Sequence, residues 1–217
     1  SSQILGRPSG RWICSGLEKM ADLDWPLEML DILIWHALKD PDPQREGWRE
    51  LAPAGEYYYR GDPYTAGINS VRGEAAMAIA RLLEYHGNLI DILKPVLAEM
   101  VHDPSIAVRS CVAAALTGLL KHDRSTAVEL FLHLTEAEDI LLGAPTSERF
   151  LCYAANTHFH SLSPLLHRML RSSTDAARRS GAHVVCLAAL VEKAAQQLVR
   201  HSLKGDEIQR TGAAEVF

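Results

Sequence analysis

Ten histidines, four cysteines and several recurring Asp and Arg positions are the residues of this chain whose types could do chemistry. A metal centre needs ligands gathered on one side of an element, and the histidine spacing does not supply them. His158 and His160 are two apart, which on a helix points them about 200° from each other, and no H-E-x-x-H or clustered His/Cys pattern occurs. Cys14, Cys111, Cys152 and Cys186 lie far apart without a C-x-x-C pair, a pattern that predicts buried thiols in a reducing compartment and hence a cytoplasmic protein. The two standard glycine patterns for cradling phosphates, G-x-x-x-x-G-K-[ST] and G-x-G-x-x-G, are missing, and so is the G-x-S-x-G elbow of hydrolases. The expectation is therefore a chain that is not an enzyme, with no catalytic residue, no cofactor and no metal.

Recognition chemistry has better candidates. Trp48, Tyr57, Tyr58, Tyr59, Arg60 and Tyr64 fall within one turn-rich stretch, and these residue types supply rigid contact area with a polar handle. They are the candidate partner-binding residues. The competing expectation is that the stretch folds back and caps the apolar end of the first helices. Arg60-Gly61-Asp62 is read as an ordinary turn.

The elements that must position these residues follow from composition and periodicity. The chain is 47% apolar but only 6% aromatic, so its core is built from Ala, Leu, Val and Ile, which favours closely packed helices over a β-sandwich. A net charge of −5 provides no global basic field to draw in nucleic acid or an anionic membrane. No apolar run reaches the roughly 18 residues of a membrane helix. The chain begins with Ser, and Gly212 to Phe217 stop inside what reads as a helix, so a piece of a longer protein is expected.

Internal repeats decide the architecture. Val71-Arg72-Gly73-Glu74-Ala75-Ala76, Val108-Arg109-Ser110-Cys111-Val112-Ala113, Arg178-Arg179-Ser180-Gly181-Ala182 and Gln209-Arg210-Thr211-Gly212-Ala213-Ala214 align, and a weaker copy begins at Arg149. In that copy the bulky Phe150 and Tyr153 replace small residues, which predicts a distorted unit. Successive arginines are 30 to 40 residues apart, the range of two-helix repeats. Asp103-Pro104-Ser105, Thr174-Asp175 and Gly205-Asp206 carry helix-start signals upstream of three of them, with Asp as N-cap and Pro104 at the first helical position. Apolar stripes predict first helices from Asn88, with Pro95 kinking it, from Asp123, and from Ser163-Pro164. A helix opening at Pro26 is expected to bury Leu27, Leu30, Ile34, Ala37 and Leu38. The division expected is a helical segment over 1–39, an insertion loop over 40–67, and helix-pair repeats over 68–217.

The string Asp-Pro-Ser-Ile-Ala-Val-Arg over 103–109, followed by Val112, Ala113 and Leu116, resembles the second-helix signature of HEAT repeats, an armadillo-type fold. The resemblance implies an all-α protein, a right-handed α-solenoid of about five helix pairs. It also implies a ladder of hydrogen bonds and ion pairs between successive repeats, made by Asp103, Arg109, Asp175, Arg179, Asp206 and Arg210.

The string Ile68-Asn69-Ser70-Val71-Arg72-Gly73 is similar to one in the helical-repeat portions of large bacterial NTPases of the NACHT/STAND type, proteins of antiviral defence. That likeness implies a sensor or scaffold region that binds a protein partner, the ATPase lying elsewhere in the parent. The alternative expectation is a nucleic-acid-binding HEAT-like protein resembling the alkylpurine DNA glycosylases. Its best support is a locally basic C-terminal third carrying Arg168, Arg171, Arg178, Arg179, Arg200, His201 and Lys204, with Arg72, Arg109, Arg179 and Arg210 as a row that could meet phosphates.

Overall fold

The computed structural model describes residues 9–136 and 138–216. The start of the segment expected to be helical over 1–39, and Phe217 at the end of the expected terminal helix, lie outside the described residues. Among the described residues the chain is all-helical, with eleven α-helices and a single isolated bridge, Leu51 with Tyr57, in place of any strand. No helix among the described residues is long and apolar enough to cross a membrane. The chain divides into two compact units, one ending at His122 and the other beginning at Asp123.

The first unit holds α1 (Ser9–Lys19), α2 (Leu27–Lys39), α3 (Pro63–Ile68), α4 (Val71–Tyr85), α5 (Ile90–Met100) and α6 (Ile106–Leu119). α4 packs between α1 and α6, while α2 and α5 touch each other and lie against α4 and α6 respectively. The central helices are buried nearly all round: α6 buries Val108, Cys111, Val112, Ala115, Leu116 and Leu119, and α4 buries Ala75, Ala78, Ile79, Leu82 and Leu83. A helix enclosed on most sides needs a largely apolar sequence. α2 is amphipathic. It buries Leu30, Leu33, His36 and Ala37, whereas Leu27, expected on the buried face, is exposed. His36 is drawn inward because its Nδ1 bonds the buried Asp40 carboxylate four residues on, at 3.0 Å.

The second unit holds α7 (Arg124–Thr135), α8 (Pro145–Leu170), α9 (Asp175–Ala188), α10 (Gln196–Lys204) and α11 (Glu207–Ala214). α9 packs between α8 and α11, α7 lies on α8, and α10 on α11. α8 contains a break at His158 (φ −124°, ψ 31°). The chain changes direction there rather than at Ser163-Pro164, where a helix was expected to open, and Pro164 falls inside the second half of α8. In the weaker motif copy Phe150 is fully buried and stacks on Phe131 (centroids 4.0 Å apart, planes 8° apart), while Tyr153 turns outward.

Helix starts follow capping chemistry, with shifts from the expectation at α6 and α9. Ser70, Asp123 and Asp206 cap α4, α7 and α11 with their side chains, and Asp206 forms a reciprocal capping box with Gln209. Asp103 was the expected N-cap of α6 and Pro104 its first helical residue, but Ser105 takes the N-cap and accepts the Val108 N–H, so Pro104 lies before the helix. The Asp103 carboxylate accepts the Ser105 N–H instead, at 2.8 Å, and turns towards Arg72. Thr174 sits at the N-cap of α9 without a side-chain hydrogen bond, and Asp175 occupies the first turn, where a carboxylate complements the helix dipole.

All four cysteines are free thiols, three of them buried. Burial pushes the Cys14 thiol up to about 12 and Cys152 to about 11, and raises Cys111 further. A thiol whose folded pKa is raised is favoured by the fold in its neutral form. That contribution is complete below the free-thiol pKa of about 8.5 and is lost as pH climbs towards the folded values. The native chain is expected to resist alkylation by iodoacetamide at about pH 8 at Cys14 and Cys111, and to label at all four positions in urea; mass mapping of the labelled sites checks this.

Candidate binding surface

Residues 40–62 form the one long connection of the first unit, and several backbone and side-chain bonds pin it down. Arg72, buried in α4, reaches back to donate four hydrogen bonds: Nε and Nη2 to the two Asp103 oxygens at 2.7 and 3.2 Å, Nη1 to the Asp40 carbonyl at 2.8 Å, and Nη2 to the Pro43 carbonyl at 3.2 Å. The Asp42 carboxylate accepts the Val71 N–H at 2.7 Å, and its carbonyl accepts the Arg72 N–H at 3.1 Å. Glu46 accepts the Ile106 N–H at the start of α6 at 2.8 Å and takes the Trp48 indole N–H with its other oxygen. The loop is thereby fixed to the starts of both α4 and α6.

Beyond these ties the chain turns back on itself. Tyr58 N–H donates to the Glu50 carbonyl at 3.0 Å and Ala52 N–H to the Glu56 carbonyl at 2.7 Å, a short antiparallel return around Gly55. Tyr59 and Arg60 then adopt left-handed backbone (φ 52° and 56°), a region that costs a non-glycine residue about 1–2 kcal/mol. Asp62 ends the excursion by capping α3 through Tyr64 and Thr65, with Pro63 at the first helical position. Helix therefore begins at Pro63, inside the stretch expected to be loop to residue 67, for the same Asp-Pro reason that signals a helix start elsewhere.

The turn and the loop enclose a cleft of about 490 Å³, with Tyr58, Tyr59, Trp48, Asp42, Arg45 and Asn69 among its walls. Tyr57, Tyr58 and Tyr59 are 53%, 45% and 43% exposed. An exposed Arg45–Glu50 ion pair at 3.2 Å stands at the cleft. Of the six expected partner-binding residues, the structure brings Trp48, Tyr58 and Tyr59 to the cleft, but Trp48 is buried, with the Arg49 guanidinium over its ring at 4.5 Å, and so serves as the loop's internal post. Tyr57 and Arg60 are exposed beside it, and Tyr64 is half-buried on α3, where burial raises its phenol pKa. Asp42, Arg45 and Asn69 were not signalled by the sequence, since ordinary polar residues acquire a role here only from the path of the loop.

The Asp and Arg positions expected to form a ladder are distributed as follows. Asp103 meets Arg72 of α4, a pair whose side chains are 7% and 10% exposed. Asp206 meets Arg178 of α9 at 2.8 Å, and Asp175 meets the same Arg178 within its own helix. Arg179 turns away to Glu215, while Arg109 and Arg210 close on carbonyls at the starts of their own helices, Asp103 and Gly205. The arginine that spans between α9 and the start of α11 is thus one residue earlier than expected, because α9 opens at Asp175 and presents position 178 rather than 179 to Asp206.

In the second unit, Glu148 of α8, His183 of α9 and Glu215 beyond α11 bring one potential ligand atom each within 4.8 Å of the others. It is the one such group of His, Cys, Asp or Glu found among the described residues. His158 and His160 are not part of it. Sequence spacing could not reveal it, since its members sit more than 30 residues apart on three elements.

No protein-family model, curated protein or solved structure matches this chain.

Proposed function

We propose that this chain is a non-catalytic protein-interaction module, the scaffold or sensor region of a larger cytoplasmic protein, and that the cleft walled by Tyr58 and Tyr59 receives a segment of a protein partner. The observation that carries this reading is the contrast within one loop. Tyr58 and Tyr59 stand about half exposed at a cleft, with Tyr57 exposed beside it, while Asp40 and Trp48 of the same connection are buried and hydrogen-bonded in place. A surface held rigid before binding loses little entropy on association, and tyrosine contributes contact area with few rotors.

The framework in this proposal is a HEAT-like solenoid of about five helix pairs: α2 with α4, α5 with α6, α7 with the first half of α8, the second half of α8 with α9, and α10 with α11. Its support is the recurrence of the Arg-plus-small-residue motif near the starts of α4, α6, α8, α9 and α11, together with the Arg72–Asp103 and Arg178–Asp206 pairs 31 and 28 residues apart. The likeness of residues 68–73 to the repeat regions of NACHT/STAND-type NTPases extends the proposal to recognition of a foreign protein in antiviral defence.

The nucleic-acid reading has less support. Arg168, Arg178 and Arg179 are all bound to carboxylates, which leaves fewer free charges to neutralise phosphates than the sequence implied. The test is affinity capture of the parent protein from its native cells, with and without nuclease, read by mass spectrometry. The proposal expects a nuclease-resistant protein whose recovery falls at least about tenfold when Tyr57, Tyr58 and Tyr59 are changed to Ala, the scale of losing a pair of binding hot spots. Recovery of nuclease-sensitive material alone, lost with Arg200→Ala and Lys204→Ala, would sink it.

A further inference from the structure

We infer that Glu148, His183 and Glu215 form a binding site for one divalent transition-metal ion of the zinc type. The inference concerns the second unit alone and does not depend on the cleft. Three elements deliver the three side chains: Glu148 from the first turn of α8, His183 from the middle of α9, and Glu215 from the residue that follows α11. Their ligand atoms lie within 4.8 Å of one another, and His183 Nδ1 is 2.6 Å from Glu148 Oε1.

A tetrahedral zinc ion with ligands at about 2.0–2.2 Å sets them about 3.3–3.6 Å apart. The two contacting atoms must therefore separate by up to about 1 Å, and the third must close by at most about 1.5 Å, changes within reach of side-chain rotation. One imidazole and two carboxylates are a donor set suited to zinc. Magnesium and calcium prefer oxygen alone, and the imidazole tells against them.

The surroundings add what isolated surface acids lack. Ser180, on the same helix as His183, donates its hydroxyl to Glu148 Oε2, which leaves Oε1 as the atom facing the imidazole. Arg179 donates Nε to Glu215 Oε1 at 2.8 Å, with Nη2 on the same oxygen, and leaves Oε2 for an ion. Each carboxylate thus has one oxygen oriented by an outer donor, as ligating carboxylates are in metal sites; the other is left over by Arg179 in Glu215, while in Glu148 it is hydrogen-bonded to His183 Nδ1, whose proton an ion would displace. The side chains of Glu148, His183 and Glu215 are 29%, 22% and 32% exposed, so an ion can enter while the ligands stay partly shielded. With two carboxylates and one guanidinium, the cluster retains a net negative charge for a cation to neutralise.

The test uses the purified chain with Zn2+ by calorimetry and Co2+ by visible absorption, since Co2+ held by nitrogen and oxygen in a tetrahedron gives intense d–d bands. One equivalent is expected to bind, with His183→Asn and Glu215→Gln each weakening Zn2+ at least about tenfold and Ser180→Ala weakening it about 10–100-fold through the outer donor. His160→Asn, on an exposed histidine outside the cluster, should leave the titration unchanged. Glu215 lies at the end of its element, so Glu215→Gln tests the site even if His183→Asn loses helical content by circular dichroism. Absence of saturable binding, or one equivalent bound undiminished in Glu215→Gln and in folded His183→Asn, would overturn the assignment.

Discussion

Arg72→Ala is expected to lower the thermal midpoint of the chain by about 10 °C, corresponding to about 3–5 kcal/mol. The guanidinium is nearly enclosed and meets both oxygens of an equally enclosed Asp103, while its remaining donors satisfy the Asp40 and Pro43 carbonyls. Truncation leaves a buried carboxylate without a counter-charge and two carbonyls without partners, the costly case for a buried pair. The same logic predicts recovery when the charge is removed from both sides. Arg72→Met combined with Asp103→Asn should regain the part of the loss due to the unpaired charge, because the carboxamide oxygen introduced by the second change can still accept the Ser105 N–H, while the Asp40 and Pro43 carbonyls stay without partners. Arg178→Ala is the contrasting case: its partner Asp206 is about half exposed, and the loss should stay near 1 kcal/mol, roughly the upper range for an exposed pair. Thermal melts of the two single variants and the double variant check the order.

The second large effect is expected at Gly67. A methyl group there would lie 2.3 Å from the Ala107 carbonyl oxygen and 2.6 Å from Cys111 Sγ, so α3 could no longer rest on α6 at its present distance. The obstacle is backbone rather than a movable side chain, and the Gly67 carbonyl oxygen in turn sits 2.1 Å from where a Gly73 methyl would be. Gly67→Ala should cost about 3 kcal/mol, at the upper end of overpacking penalties. Gly47→Ala, with nothing within 4 Å of the added methyl, should change stability by less than about 0.5 kcal/mol. Equilibrium urea unfolding of the two single variants distinguishes them. Loss of α3 packing would also disturb Asp62 and the tyrosine turn that precedes it, so Gly67→Ala should weaken partner capture as well.

How far the architecture was legible depends on what kind of signal each part leaves. The helices of both units announce themselves through Ala/Leu/Val periodicity and through Ser, Thr and Asp at their starts, because burial and capping are local demands on residue type. The small residues after each motif arginine are legible for a related reason. Gly73 and Gly212 stand where a methyl group would meet a neighbouring backbone oxygen at 2.1 and 2.2 Å, so close helix approach writes itself into the sequence. The break at His158 left no such mark, since neither glycine nor proline occupies it and Pro164 draws attention to the wrong place.

Side-chain partnership was the least legible feature. That Arg178 rather than Arg179 reaches Asp206 depends on a one-residue phase of α9, which two adjacent arginines conceal. Trp48 shared a composition with the tyrosines but not a role, because Glu46 and Arg49 enclose it. The Glu148–His183–Glu215 group spans three elements and has no spacing signature at all.

The central claim is that a protein partner sits against the tyrosine cleft. Its most direct measurement is photo-crosslinking in the native cells with a benzoyl-phenylalanine placed at Tyr58 of the parent protein, compared with the same probe at the exposed Tyr153. The account predicts a discrete crosslinked protein from position 58 that resists nuclease and is missing from position 153. A crosslink to nucleic acid from position 58, or equal yields from both positions, would contradict it.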